Sequence, residues 1–301
     1  MAAIDVRVPT WDTLKGILSR NWSRVRESRR FPIIPVAIIS IIIFTAVFAP
    51  LLSPHSATRP SLADRLTPPV WSSEGSWTYP LGTDALGRDI ATRLMYGGRV
   101  SMMVALFTLL LGGGLGAAIG LVAGYYGGRV DMILMRLADS TLAFPIILFG
   151  ILLVVTLGGN LYNIVIAIAL VLWARYARVI RGEVLAIKSR DFIARARVVG
   201  CSTPRILLVH IFPNTLNTLL VLLTLQVGWV IIVEASLSFL GAGIPPPTPA
   251  WGAMIASGRE YVDTAWWVSS FPGIAIMLTV ISFNLFGDWL RDTLDPKLRN
   301  V

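Results

Sequence analysis

Six uncharged or nearly uncharged runs alternate with polar segments along the chain, and this pattern predicts its architecture. Each run is long enough for an α-helix, rising about 1.5 Å per residue, to cross a hydrocarbon core roughly 30 Å thick. The uncharged stretch 140–174 is too long for one such helix, and we expect Gly158-Gly159-Asn160 to divide it. The predicted spans are 31–52, 100–124, 141–157, 161–180, 215–233 and 268–286.

Charge places the intervening segments on opposite sides of the membrane. Basic residues accumulate on the cytoplasmic side of membrane proteins, so the basic segments belong inside and the near-neutral ones outside. The expected order is a basic cytoplasmic segment 1–30, a first span 31–52, an external loop 53–98, a core domain 99–290 and a cytoplasmic tail 291–301. Both termini are then inside. A cleaved signal peptide is the alternative for the first span, but the long basic region and Pro50 favour a retained anchor.

Composition supports a multi-pass membrane protein: 55% of the residues are hydrophobic and 14% are charged, against about a quarter charged in soluble domains. The net charge of +9 is therefore no argument for nucleic acid, because basic residues beside spans set topology. A single cysteine, Cys201, excludes a disulfide within the chain, and His55 and His210 lack metal-ligand spacing. We expect no catalytic residue, no metal and no cofactor bound by this chain.

The stretch 190–214, RDFIARARVVGCSTPRILLVHIFPN, is a polar and helix-prone island between two spans. Gly200 is predicted to end a first helix in the left-handed conformation, and Thr203 and Pro204 to be the N-cap and first residue of a second helix that runs to Pro213. We expect a helical finger at the cytoplasmic surface on which another protein pushes. The alternative is an amphipathic helix pair that lies on anionic lipid.

Glycines recur at every fourth position of the second predicted span, so they share one helix face. Small residues in that pattern let another helix approach closely. They are not a phosphate-binding loop, because no strand precedes them and no Gly-Lys-Ser/Thr follows. The glycines are Gly112, Gly116, Gly120 and Gly124.

Three polar residues within or beside the predicted spans are possible pathway-lining positions: Gln226, Glu234 and Asn284. An acid in a membrane segment is by default a functional candidate, as substrate ligand or proton site. The competing interpretation is hydrogen bonding between helices, with Ser236 and Ser238 close to Glu234.

Four pieces of the chain carry a resemblance that covers nearly everything from about residue 31. They are LGTDALGRD with RLMYGGRVS, the run GYYGGRVDMILMRLADSTLAFP, the 190–214 stretch, and EASLSFLGAGIPPPTPAWGAMI with FPGIAIMLTVISFNLFGDWLRDTLDPKLR. The chain resembles the C-type permease subunit of bacterial peptide-class ABC importers, whose members serve dipeptides, oligopeptides, glutathione and nickel. The resemblance implies an all-α polytopic protein with six transmembrane helices and the type I ABC importer permease fold.

The 190–214 stretch resembles the EAA loop of these permeases. Ala194-Arg195-Ala196 occupies the Glu-Ala-Ala positions, Gly200 the glycine, and Ile211-Phe212-Pro213 the apolar-Leu-Pro end; Ala194 for Glu and Arg195 for Ala are departures. The resemblance implies that this stretch couples the permease to an ATPase. The expected coupling residues are Arg190, Asp191, Ala194, Arg195, Ala196, Gly200, Pro204 and Pro213.

The resemblance also implies partners. These are a B-type permease subunit, two cytoplasmic ATPase subunits or domains that hold ATP and magnesium, an external solute-binding protein, and the lipid bilayer of the bacterial inner membrane. Peptides are the expected cargo, with nickel, glutathione or another small solute as alternatives. An ion-gradient transporter lacks support, since there is no midspan carboxylate pair or internal repeat. An intramembrane enzyme lacks it too, since GxSxG and HExxH are absent.

Overall fold

The structure is a computed structural model that describes residues 31–294, so the predicted segment 1–30 and most of the tail 291–301 lie outside the described residues. Within 31–294 the chain is helical, with one isolated β-bridge between Thr83 and Asp89 and no strand. The main helices are α1 Ile33–Val47, α2 Ile90–Tyr126, α3 Gly128–Ala143, α4 Ile146–Leu157, α5 Leu161–Lys188, α6 Asp191–Val198, α7 Thr203–Phe239, α8 Trp251–Gly258 and α9 Trp267–Leu294.

Four of the described helices, α2, α5, α7 and α9, are long and apolar enough to cross a membrane, and α3 with α4 makes a fifth if the bent pair counts as one span. The six predicted spans are therefore confirmed only in part. The first predicted span, 31–52, is not one continuous helix: α1 has 15 residues, and one further turn, Ala49–Leu52, follows a break at Phe48. Pro50 accounts for the break, because it has no N–H to continue the helix.

The second span begins ten residues earlier than predicted, at Ile90 instead of position 100. Asp89 caps this start, since its carboxylate accepts hydrogen bonds from the backbone N–H groups of Ala91 at 3.2 Å and Thr92 at 3.0 Å. Such a cap satisfies helix-end donors that would otherwise lack partners. Residues 90–98 of the predicted external loop are consequently helical.

The third predicted span, 141–157, is two helices instead of one. Phe144 has extended backbone, α4 starts after Pro145, and the axes of α3 and α4 differ by 93°. A proline disfavours helical backbone in the residue before it, which explains the break. The turn after α4 is confirmed: Gly158 has φ +89°, and the Asn160 side chain accepts from the Asn163 N–H at 2.9 Å to cap α5.

The loop between α1 and α2 is folded onto the bundle. The Asp84 carboxylate accepts from the Arg88 side chain at 2.8 Å, and the Trp267 Nε1–H donates to the Thr83 carbonyl at 3.1 Å, which joins the loop to α9. Asp64 accepts from Ser61 at 2.6 Å and from Tyr79 at 3.0 Å. These hydrogen bonds, that of Ser61 first, lower the pKa of Asp64.

Candidate functional site

The first half of the 190–213 segment is α6, whose buried side anchors it and whose other side is open. Ile193 is fully buried and Ala196 packs against the core, whereas Ala194 and Arg195 are exposed. Arg190 precedes the helix with extended backbone, and Asp191 lies in its first turn, where a negative charge stabilises the helix dipole. The helix is thus fixed to the bundle on one face only.

A hydrogen-bonded turn ends α6 at Gly200, as predicted. Gly200 has φ +82°; its N–H donates to the Arg197 carbonyl and the Cys201 N–H donates to the Ala196 carbonyl, both at 3.0 Å. This is the Schellman arrangement, which satisfies the last carbonyls of a helix and requires a left-handed residue. No atom lies within 4 Å of the position that a Gly200 Cβ would occupy, so the backbone conformation is the only demand for glycine.

The second half of the segment corrects two predictions. Ser202, not Thr203, is the extended residue before the helix, and Thr203 and Pro204 are its first two residues. The helix also does not stop at Pro213 but continues to Phe239 as α7. A wide π-helical turn, Ile206–Ile211, lies directly before the proline. The wider turn leaves space for the Pro213 ring, and its hydrogen-bond pattern does not require the N–H group that proline lacks.

The exposed surface of the segment combines apolar and basic side chains. Val198 is 87% exposed and Leu208 is 64% exposed, and Arg195, Arg197 and Arg205 of the same segment are also exposed. Exposed apolar side chains together with arginines are typical of a surface that contacts another protein.

Two cations connect α6 and the end of α5 to the end of α2. The Lys188 ammonium donates to the Tyr125 carbonyl and lies 5.6 Å from the centre of the Tyr125 ring, and the Arg197 guanidinium lies 5.5 Å from the same centre. Cation–π contacts of this kind add to the packing of α6. The ends of α5 and α6 therefore share Tyr125 of α2 as a contact.

A cavity of about 760 Å³ opens beside the segment, between the ends of α5, α7 and α9. Its polar walls hold Glu183, Arg190, Asn214, Asn217 and Arg291. The coupling candidates Arg190 and Pro213 thus border an open space inside the bundle, while Ala194 and Arg195 face away from the core.

The four glycines of α2 form one packing surface against α5. A Cβ added at Gly112, Gly116, Gly120 or Gly124 would lie 3.2, 2.3, 2.6 or 2.7 Å from its nearest heavy atom, and each of those atoms belongs to α5. Contacts this short are possible only without a side chain. The predicted close approach is therefore present, and its partner is a helix of the same chain.

The three possible pathway residues differ in their surroundings. Glu234 is fully buried, and its carboxylate accepts from Ser101 at 3.0 Å and from Ser238 at 2.8 Å. It therefore joins α7 to α2 by hydrogen bonds, which is the interhelical role given above as the competing interpretation. Ser236 bonds instead to the Ile232 carbonyl.

Gln226 is half-buried and accepts from Arg175 Nη1 at 3.4 Å. Asn284 is exposed and lies beside Gly228 of α7, with its Oδ1 atom 3.2 Å from the position of an added Cβ. Both side chains thus lie at contacts between helices and are also open on one side.

Two ion pairs and one cation–π contact of α5 were not predicted from the sequence. Arg181 Nη2 lies 2.6 Å from Asp131 Oδ2, Arg178 pairs with Asp139, and the Arg175 guanidinium lies 5.2 Å from the centre of the Trp229 ring. The three-residue spacing of these arginines was a signal for a charged helix face, but it named no partners. No group of three or more metal-ligating side chains occurs within residues 31–294.

A bundle of long apolar helices is typical of a membrane protein, and the comparison with known families identifies which kind. Residues 116–300 match the model of the binding-protein-dependent transport system inner membrane component. This match covers more than half of the chain, so the protein belongs to that family. It is a multi-pass membrane protein and a transport permease subunit.

Several relatives are similar over most of their length. The di/tripeptide transport system permease protein of Pseudomonas aeruginosa is 42% identical over 87% of this chain and 86% of its own. The dipeptide transport system permease protein of Haemophilus influenzae is 38% identical over 95% and 96%. The glutathione transport system permease protein of Pectobacterium atrosepticum is 41% identical over 87% and 85%.

Proposed function

We propose that this chain forms half of the translocation pathway of an ATP-driven importer of di- and oligopeptides. The observation that carries the proposal is the 190–213 segment: an exposed helix, α6, ends in a fixed glycine turn, and the four residues 199–202 connect it to α7, one of the two 37-residue helices of the described chain. The names of the relatives support peptides as cargo. Glutathione, itself a peptide, is the second candidate because of the Pectobacterium relative.

In this proposal the membrane topology has six spans with both termini in the cytoplasm. Residues 33–52 supply the first, because α1 with its following turn has 20 residues and reaches about 30 Å. The bent pair α3 and α4 supplies the third. The basic residues around α6 then lie inside and the near-neutral loops at 53–89 and 240–266 lie outside.

The chain works as a passive part of a larger assembly. A B-type permease subunit completes the pathway, two ATPase subunits or domains bind below it, and an external solute-binding protein delivers cargo. ATP and magnesium are held by the ATPases, since this sequence has no Gly-x-x-x-x-Gly-Lys-Ser/Thr loop. Closure of the ATPase pair on ATP moves α6, and the contacts of α6 with Tyr125 carry that motion into α2 and α5.

A crosslinking experiment tests the docking role. The chain has one cysteine, so Cys201→Ser gives a background without thiols. In that background Val198→Cys, at the 87% exposed end of α6, should crosslink to the ATPase, whereas Trp77→Cys, 83% exposed in the loop before α2, should not. Crosslinking from Trp77→Cys alone, or from neither position in an active complex, would overturn the docking assignment.

Transport measurements separate the proposal from its alternatives. Uptake of a labelled dipeptide should stop when ATP is depleted and continue when an uncoupler removes the proton gradient. The opposite pattern would indicate an ion-gradient transporter. ATP-dependent uptake of glutathione without uptake of dipeptides would retain the importer and replace the cargo.

A further inference from the structure

Arg175 is the one arginine of α5 without an acidic partner among residues 31–294. Its neighbours Arg178 and Arg181, three and six residues on, are paired with Asp139 and Asp131 of α3. Arg175 points to a different helix, α7, where it has only a neutral amide and an aromatic ring beside it. Its positive charge is therefore not neutralised by any carboxylate of the described chain.

The position of Arg175 makes this unusual. It follows 14 residues of α5 without a charge, which places it about 21 Å along the helix from Leu161. A charged side chain within a membrane-spanning helix is costly and usually has a function or a partner. The Arg175 side chain contacts the neighbouring helix α7. It lies against Gln226 and Trp229 of α7.

The surroundings of the guanidinium use only one of its hydrogen-bond donors. Trp229 provides an aromatic face 5.2 Å from the guanidinium carbon, which orients the planar group. The Gln226 Oε1 atom accepts from one Nη1–H at 3.4 Å, so most of the five N–H donors stay available. The three side chains are half-buried, so each is partly uncovered by the rest of the described chain.

We propose that Arg175, held by Trp229 and Gln226, binds the terminal carboxylate of a peptide during its passage through the permease. A guanidinium offers two parallel N–H groups to a carboxylate, which makes this pairing both strong and directional. The Gln226 amide N–H₂ group, which has no acceptor among residues 31–294, is a further donor for the same anion. This inference rests on the proposed function and names the part of the cargo that the permease recognises.

The test compares one tripeptide with its C-terminal amide in proteoliposomes that contain the whole complex and saturating binding protein. The tripeptide is chosen so that the binding protein accepts both forms. Wild type should take up the acid faster than the amide. Arg175→Gln should lower uptake of the acid roughly tenfold and leave the amide nearly unchanged, because only the acid loses a charge-assisted hydrogen bond. Arg175→Lys keeps the positive charge but lacks the two parallel N–H groups of the guanidinium. Its ratio of acid to amide uptake should therefore lie between those of wild type and Arg175→Gln.

Arg178→Gln is the matched control on the same helix, because its charge is already paired with Asp139. It should change both rates by the same factor. An acid-to-amide ratio that is the same in wild type, Arg175→Gln and Arg175→Lys would overturn the inference. The inference would also be overturned if the uptake rates of both peptides changed equally with the anionic lipid content of the proteoliposomes, since Arg175 would then bind a lipid phosphate.

A direct binding measurement covers the case in which Arg175→Gln does not assemble. Labelled tripeptide should bind the nucleotide-free wild-type complex more tightly than its amide, and Gln226→Leu, which removes the supporting amide, should reduce that difference. Equal binding of acid and amide would overturn the inference. Failure of the wild-type complex to import any peptide would instead overturn the proposed function, and the two results are therefore distinct.

Discussion

The contact between Gly116 and α5 gives the most quantitative prediction. A methyl group at position 116 would lie 2.3 Å from the Trp173 carbonyl oxygen and 2.6 Å from Tyr176 Cβ. Ordinary contact begins near about 3.5 Å, so α2 and α5 would have to separate by roughly 1 Å. The obstructing atoms are backbone and Cβ atoms, so no change of rotamer relieves the clash. Overpacking of this kind costs about 1–3 kcal/mol.

Gly114 supplies the matched control, because nothing lies within 4 Å of its added Cβ. Both variants, Gly116→Ala and Gly114→Ala, gain the same helix propensity, up to about 1 kcal/mol, and that gain cancels in their comparison. The difference between them is then the packing term alone. Thermal unfolding in detergent, followed by size-exclusion fluorescence, should show a lower midpoint for Gly116→Ala by roughly 2–4 °C per kcal/mol. A midpoint for Gly116→Ala equal to or above that of Gly114→Ala would refute the packing argument.

Three other substitutions test separate features. Gly200→Val should uncouple ATP hydrolysis from uptake without removing the protein from the membrane, because a side chain at φ +82° costs about 1–2 kcal/mol. The control is Gly182→Val, which replaces an exposed glycine without positive φ and should leave the two activities coupled. Normal coupling in Gly200→Val would count against the role of the 190–213 segment as the contact with the ATPase. Glu234→Ala should destabilise the complex by about 1–3 kcal/mol because Ser101 and Ser238 lose their acceptor, and Glu234→Gln should recover most of this in the same melting assay. Asp89→Ala should lower stability by about 0.5–2 kcal/mol through loss of the α2 cap, and an unchanged melting midpoint would contradict that role.

Features of the fold that depend on side-chain size and backbone conformation could be predicted from the sequence. The fourfold spacing of the α2 glycines predicted a close helix contact, since a periodic row of small residues shares one face. Gly158 and Gly200 both have positive φ, because each follows a helical pattern and precedes another. These signals are local, so neighbouring residues were enough to interpret them.

Helix boundaries were predicted less well because hydropathy marks the membrane and not the helix. Asp89 starts α2 ten residues, nearly three helical turns, before the predicted apolar run, and α7 continues on both sides of the predicted span 215–233. The sequence predicts a helix end at Pro213, but the π-helical turn before it leaves room for the proline ring. No residue type in the stretch predicts that turn. Proline alone therefore did not decide where the helix stops.

The partners of charged side chains were the hardest to predict. Arg178 and Asp139 are 39 positions apart, and they meet because α3 packs alongside α5. Glu234 and Ser101 are 133 positions apart. Such pairs depend on tertiary packing, so the sequence could mark Glu234 as a buried acid near Ser238 but not find its second hydrogen-bond donor.

The length of α7 has a mechanical consequence. Its 37 residues form a rod of about 55 Å, and Glu234, where it is fastened to α2, lies about 46 Å from Thr203 at the opposite end. A rotation of only 5° about that fastening displaces Thr203 by about 4 Å, by the geometry of a rod of this rise. A large displacement at the 190–213 segment therefore corresponds to a small rotation near Glu234, and the π-helical turn Ile206–Ile211 lies between the two.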